Sequence, residues 1–519
     1  MPTARSTRED GPDEGKAAHG TVSVDAPPSS LRPSLRSRSM LRTRPEIPPR
    51  HPLLLPLCAA YALAVFAWCL LRYRHFGAPA YELGAYHSLL WNLGERGTPW
   101  NSLERAHQWS IHLEPGVFWI AALYRLAPSP VWLWITESLA CAAAALPVDS
   151  IARRTTGDPV VGLLAAAAML FAPQMVLGQL SDFHTLAICA LPLAVVAWAV
   201  EVDSSRALAL GALGAVLLRE QMGFVVAAAA VLWAVRQGPR RVPPAVVLAI
   251  AGIGISLLEI FVVIPAFGGG QSFHMVAHYG KLGSTAGEAL QTAASQPGIL
   301  ARAFQGGRRT YLLELASGAL PLLMLSLRSF RRSAWPLVLA LPQIGLQLLS
   351  TSELKWSVHS PYGVCIVPLL AVAAVLALRF VPAEHAMRRA VAAGWLVLSA
   401  LHLGEMLPSP VGPGAPDDPA FAGSPRAAAL ARAIAAVPPD ASISAQDDLV
   451  PHVAARAEVH RYPDGRSTDD YVMLDLEGAA PNLQNKARLA GAVRLLRADP
   501  HFRVVVDEAG VVLAKRQAQ

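Results

Sequence analysis

Long apolar blocks separated by short basic clusters set the pattern of this chain. A helix needs about 20 mostly apolar residues to cross the hydrocarbon core of a bilayer. Leu53–Leu71, Val131–Ile151, Ala245–Ile264 and Val391–Leu407 meet that requirement. The basic clusters are the stretch through Arg50, Arg153 with Arg154, the lone Arg206, Arg236 to Arg241, Arg328 to Arg332, and Arg379 to Arg389. Lysine and arginine concentrate in cytoplasmic loops. If all these clusters lie inside, the spans between them come in pairs. The expectation is an all-α polytopic fold of about eleven transmembrane helices over residues 51–408. They are Leu53–Leu71, Val131–Ile151, Val160–Leu177, Leu186–Val200, Ala207–Leu218, Met222–Val235, Val246–Ile264, Leu312–Leu327, Trp335–Leu349, Pro361–Leu378 and Val391–Leu407. Ala207–Leu218 and Met222–Val235 are short for full spans. Long exoplasmic loops fall at 72–127 and 265–311, and Gly116–Leu126 within the first is apolar but too short to span, as for a helix lying near the interface.

Composition agrees with a membrane class. Of 519 residues, 53% are hydrophobic and 16% charged, below the charge of an ordinary soluble chain. The net charge of +7 sits in the clusters between apolar blocks, where it sets topology, so nucleic-acid binding is set aside. The five cysteines, Cys58, Cys69, Cys141, Cys189 and Cys365, are scattered singly through apolar segments and suit small buried hydrophobes better than disulfides. Residues 1–50 are rich in Pro, Ser, Arg and acids and read as a disordered cytoplasmic tail, with the first span acting as a signal anchor of a cytoplasmic (inner) membrane protein.

With that topology the polar motifs share one leaflet. The first loop holds Glu82, His87, Glu104, His107, His112 and Glu114. Later turns on the same side carry Asp182-Phe183-His184, Arg219-Glu220-Gln221, His274 with His278 and Tyr279, and Glu353, Lys355, His359 and Tyr362. Charges near lipid are costly and usually face a protein interior or a water-filled cavity. Interfacial His, Tyr and Arg also serve simply to anchor helix ends, and Arg219 with Glu220 can neutralise each other. Asp182 with His184, and His112 with Glu114, each offer two ligands suited to a divalent metal ion, at a spacing common by chance.

The run Tyr81-Glu82-Leu83-Gly84 followed by Leu90-Trp91-Asn92 resembles the first-loop signature of the domain-of-unknown-function 2079 family, in which an aromatic-Asp-Leu-Gly start precedes a Leu-Trp-Asn helix. His112 with Pro115, Asp182-Phe183-His184, Arg219-Glu220, Tyr279 to Gly283, Ser360-Pro361-Tyr362, Ser444-Ala445-Gln446, Pro451-His452 and Arg456 extend the resemblance in order, from about Pro52 to the end. That family resembles in turn the GT-C class of membrane glycosyltransferases, whose long first exoplasmic loop bears a catalytic carboxylate and whose donor is a sugar on a lipid phosphate. The resemblance implies Glu82 as base, with Asp182 second. It makes His112, Glu114, His184, Arg219, Glu220, His278, Tyr279, His359 and Tyr362 candidates for holding substrate, and a polyprenyl-phosphate-linked sugar and membrane lipid the partners. The family's usual Asp is Glu82 here, one methylene longer.

Beyond Leu407, residues 409–424 read as a linker and 425–519 as a small α/β exoplasmic domain. Its expected elements are helices at Pro425–Ala436, Leu449–Ala455 and Asn485–Ala498, strands at Ala441–Ala445 and Tyr471–Leu476, and a hairpin of Phe502–Asp507 with Val511–Lys515. This domain could cap the membrane site or bind the acceptor. The competing function is a non-catalytic transporter or lipid-binding scaffold. A transporter puts polar or broken helices at the midplane, whereas mid-span charge here is confined mainly to Glu259.

Overall fold

The computed structural model describes residues 47–270, 278–280, 282–283, 285–296, 298–299, 304–407, 423–478, 483 and 485–517. His274 and most of the 409–424 linker lie outside them. Ile47–Gln519 forms one compact unit.

The protein is a multi-pass membrane protein, but the expectation of about eleven spans is corrected. Among the described residues, five helices are long and apolar enough to cross a membrane: Leu54–Arg74, Val131–Thr156, Thr185–Val202, Pro239–Phe267 and Glu353–Phe380. A sixth arises if Pro159–Leu170 and Pro173–Ser181, bent by 42° at their junction, count as one broken span. The other apolar blocks fail for visible reasons. Ser205–Val216 and Met222–Gln237 are too short; 12 residues of helix rise only about 18 Å. The block Leu312–Leu327 is split at Gly318, whose φ of 67° ends one helix before Leu320–Ser326 begins. Trp335–Leu349 is short and carries Pro342 in its interior. His385–Met406 has the length, yet Arg388, Arg389, His402 and Glu405 make its ends polar.

Local signals start and stop these helices. Asp158 accepts the Val160 N–H ahead of Pro159, and Ser204 accepts the Ala207 N–H. Gly157, in a left-handed conformation, closes the preceding helix. Several helices have an arginine-rich end and a site end. Met222–Gln237 begins beside Arg219 and Glu220 and finishes at Arg236, which pairs with Glu201. Glu201 in turn lies at the far end of a helix that follows His184, and it also pairs with Arg379. Leu54–Arg74 likewise runs from the region of Pro48, whose carbonyl accepts from Arg153, to Arg72, which donates to the Ser181 carbonyl.

A ribbon of β1 (Trp100–Asn101) and β2 (Ala106–His107) sits in the first loop. The C-terminal part forms one sheet from β3 (Ile443–Ala445), β4 (Val459–Arg461), β5 (Tyr471–Asp475), β6 (Phe502–Glu508) and β7 (Val511–Arg516), in the order β4-β3-β5-β7-β6. The three strands β4, β3 and β5 are parallel, while β7 runs antiparallel to β5 and β6. Alternation along β5 serves both faces. Tyr471 and Met473 pack with Leu430, Val450 and the first-loop residues Ala80, Ala85 and Leu103, whereas Val472 and Leu474 pack under the helix Lys486–Ala498. Strand β4, of sequence Val-His-Arg, was not expected; three residues without clear alternation give little signal.

Candidate functional site

The first loop reaches its turn at Ala80–Gly84, where Glu82 takes φ 72° and ψ −93°. A non-glycine residue there is strained, and such strain persists only where neighbours over-determine it. The neighbours are explicit. Asp447 Oδ2 accepts the Ala80 N–H at 3.4 Å, and Arg461 lies 4.2 Å over the Tyr81 ring. The Asp182 carboxylate lies near the Leu83 amide, and its Oδ1 accepts the Phe183 N–H at 2.8 Å. Two residues on, a Cβ at Gly84 would come within 2.8 Å of Val450 Cγ1, so only glycine fits that approach. His87 Nδ1 then meets the Pro451 carbonyl at 2.9 Å.

Glu82 points its carboxylate toward His184, Oε2 to Nε2 4.0 Å. Leu186 N–H donates to His184 Nδ1 at 3.0 Å, and His184 Nε2 lies 3.4 Å from Arg219 Nη2 as well as facing Glu82. Burial, with the nearby Asp182 charge, pushes the Glu82 carboxyl up to about 8. Burial also raises Asp182, to about 6, while Arg72 and the Phe183 and Leu83 amides pull the other way.

Beside Glu82 lies a buried ionic cluster. Glu114 forms an ion pair with Arg219 and accepts from Tyr86 Oη at 2.9 Å and Thr185 Oγ1 at 2.8 Å. Arg219 Nη2 reaches His112 Nε2 at 3.0 Å, and His112 Nδ1 donates to Glu220 Oε1 at 3.0 Å. That pattern fits a neutral imidazole donating from Nδ1 and accepting at Nε2; burial and Arg219 hold His112 down to about 4. Burial raises Glu220, but His112 and Arg219 outweigh it and hold the carboxyl down to about 2. The arginine charge is thus shared between two carboxylates, the kind of compensation a buried cation requires.

These side chains line two neighbouring cavities, or lobes, that share part of their walls. The polar lobe, about 190 Å³, is walled by Tyr81, Glu82, Glu104, Gln108, His184 and His278. The second, about 310 Å³, is walled largely by Leu186, Phe224, Ile260, Pro342 and Leu346, with Tyr279. Four residues belong to both: His112, Arg219, Lys355 and Tyr362. Lys355 Nζ sits 5.4 Å from the Tyr279 ring and 5.6 Å from the Tyr362 ring, within cation–π range.

The structure therefore brings Glu82, His112, His184, Arg219, Glu220, His278, Tyr279 and Tyr362 to the walls of these two neighbouring cavities. Glu114 stands behind them as the partner of Arg219. Asp182 lines neither lobe. His359 is exposed, lines neither lobe, and its backbone N–H donates to Ser357 Oγ. Lys355 was noted in the sequence only as one charge among several in its turn; its place between two tyrosines carries no local signature. Among the described residues no three His, Cys, Asp or Glu side chains gather as a metal site. The pairs weighed as metal ligands are divided: His112 turns to Glu220, Glu114 to Arg219 and Asp182 to the backbone.

The model of a family described as "Predicted membrane protein (DUF2079)" matches residues 72–513, from the first loop through β7. The chain belongs to this family. No curated protein matches this DUF2079 member. Among solved structures, ArnT from Cupriavidus metallidurans bound to undecaprenyl phosphate aligns with a TM-score of 0.50 at 12% identity, over 90% of this chain and 98% of that one. The apo state of the same ArnT gives a TM-score of 0.43 at 14% identity, over 90% and 99%. At such identity the likeness is one of fold, and it places this DUF2079 chain among proteins built like ArnT.

Proposed function

We propose that this protein is a GT-C-like membrane glycosyltransferase that moves a sugar from a polyprenyl-phosphate-type donor to an acceptor outside the cytoplasm. The observation that carries the reading is the pair of neighbouring cavities, one polar and one largely apolar, with the cations Arg219 and Lys355 lining both. A lipid-linked sugar has that same division: apolar chain, phosphate, polar sugar. In the proposed pose the chain lies along Phe224, Ile260 and Leu346, the phosphate at Arg219 and Lys355, and the sugar beside Glu82 and His184. The ArnT fold supports it, since the ArnT structure holds undecaprenyl phosphate.

Glu82 takes the proton of the acceptor hydroxyl as its oxygen bonds to the anomeric carbon. The bond from that carbon to the phosphate oxygen breaks, its electron pair leaves with the phosphate, and Arg219 and Lys355 meet the developing charge. Arg219 is preorganised for this by Glu114, Thr185 and His112. The arginine-rich helix ends would face the cytoplasm and the cavity the outside, with the C-terminal sheet beside it.

Turnover of a labelled polyprenyl-phosphate sugar by protein in lipid vesicles tests the proposal. Wild type transfers sugar, Glu82→Gln loses at least a hundredfold in kcat, and Leu346→Trp raises the donor KM about tenfold. Equal activity of all three removes the assigned roles, and sugar counterflow across vesicles without transfer supports a transporter.

A further inference from the structure

The C-terminal sheet does more than cover the loop beside it. The segment Ala80–His87 is gripped along its length by residues that follow the carboxyl ends of the parallel strands. Asp447, just after β3, accepts the Ala80 N–H. Arg461, the last residue of β4, lies flat on Tyr81 and pairs through Nη1 with Asp447 Oδ1 at 3.2 Å. Val450 fills the space above Gly84, and the Pro451 carbonyl meets His87. Glu82 sits between Tyr81 and Gly84, both held by the C-terminal part, and its backbone is the strained one.

We infer that Asp447 and Arg461 are positioning residues of the membrane site, holding the Tyr81 ring and the Ala80 amide so that the strained turn presents the Glu82 carboxylate to the polar lobe. The ion pair and the stacked guanidinium form one device: Asp447 fixes the guanidinium plane, and that plane fixes Tyr81. Residues on either side of Glu82 in the chain are thereby set by a part of the protein more than 360 positions away, Ala80 to Asp447 being 367 apart. The inference rests on the proposed role of Glu82, and it assigns the C-terminal sheet a share in catalysis.

The test compares Asp447→Ala, Asp447→Asn, Arg461→Gln and Arg461→Lys with wild type and with Arg432→Gln, which breaks only an exposed pair with Glu508 in the same domain. Two readouts are taken on the full-length protein: sugar transfer, and amide hydrogen exchange of residues 80–84. Asp447→Ala and Arg461→Gln speed exchange at 80–84 at least tenfold, leave exchange in β5 and β7 unchanged, and lower kcat ten- to hundredfold with little change in donor KM. The pH limb of transfer shifts as well, because the carboxylate moves relative to Asp182, Arg219, His184, Glu104 and Lys355. Asp447→Asn, which keeps an acceptor for Ala80, recovers part of the loss, and Arg461→Lys, which lacks the planar face, does not. Arg432→Gln behaves as wild type. Unchanged exchange at 80–84 in both disruptive variants overturns the inference. A wild-type protein that transfers no sugar, yet shows the exchange effect, sinks the reaction proposed above and leaves the grip on the loop standing.

Discussion

At position 82 the side chain and the backbone make opposite demands. The polar lobe holds a carboxyl there, while a φ of 72° disfavours any side chain. Aspartate visits positive φ more readily than glutamate. Glu82→Asp is therefore expected to keep or raise Tm and to hold transfer within about tenfold of wild type. Burial and Asp182 keep the carboxyl near about 8, so most of it is protonated at pH 7. As a base it must be ionised, hence kcat/KM rises about tenfold per pH unit up to about 8 and then levels. A flat profile between pH 6 and 9 would take the base away from Glu82. Glu82 and His112, in the long first loop, are singled out for the reaction only by the family resemblance, whereas His184 and Arg219 stand out in the sequence as polar residues with apolar flanks. Asp182 was equally legible and sits elsewhere, because Asp-Phe-His shows a polar motif without telling which side of a neighbouring turn it faces. Lys355 and Tyr86 earned no notice as site residues, since their places depend on chain segments far away.

Element boundaries were the weakest part of the sequence reading, for a physical reason. Mean apolarity over 16 residues looks the same whether a helix is straight, bent or broken. Among the described residues the eleven apolar blocks resolve into five long spans, or six, because of Gly318, the break before Pro173 and the short rises. Close packing replaces length in some of the shorter helices. Met222–Gln237 approaches Val242–Leu258 so tightly that a Cβ on Gly223 would fall 2.1 Å from the Gly252 carbonyl oxygen. Small residues allow such contact between membrane helices. Gly223→Ala should destabilise by about 1–3 kcal/mol, read as a lower Tm in detergent, while Gly254→Ala, with open space around it, should not. The loop helix Ala85–Trp91 offers a pH prediction. Burial lowers His87 to about 4, against about 6.5 when unfolded. Its contribution is complete above pH 6.5 and is lost as pH falls through 4, on the order of 3 kcal/mol in all. His452, stacked on Phe76 and held down to about 3 by burial and His87, acts in the same direction. Hydrogen exchange at pH 7 and pH 4.5 should show the contact between the loop helix and Pro451 loosening at the lower pH; equal protection at both would refute it.

At the scale of the whole molecule, Arg236 and Arg379 meet at Glu201, at the ends of helices whose other ends adjoin the cavities. The number of crossings was not legible from the charge pattern, because charge clusters mark ends without counting what lies between them. The C-terminal sheet could be recognised from its hairpin and alternating strands. Its grip on Ala80–His87 could not, since no local pattern links residues so far apart in sequence.

The two cavities that share Arg219 have a consequence for kinetics. On the proposed reading one reactant arrives by diffusion in a plane and the other from bulk water, so the rate law contains one concentration per area and one per volume. Adding inert bilayer at fixed protein and donor would then slow turnover, whereas changing the aqueous volume at fixed acceptor molarity would leave it alone.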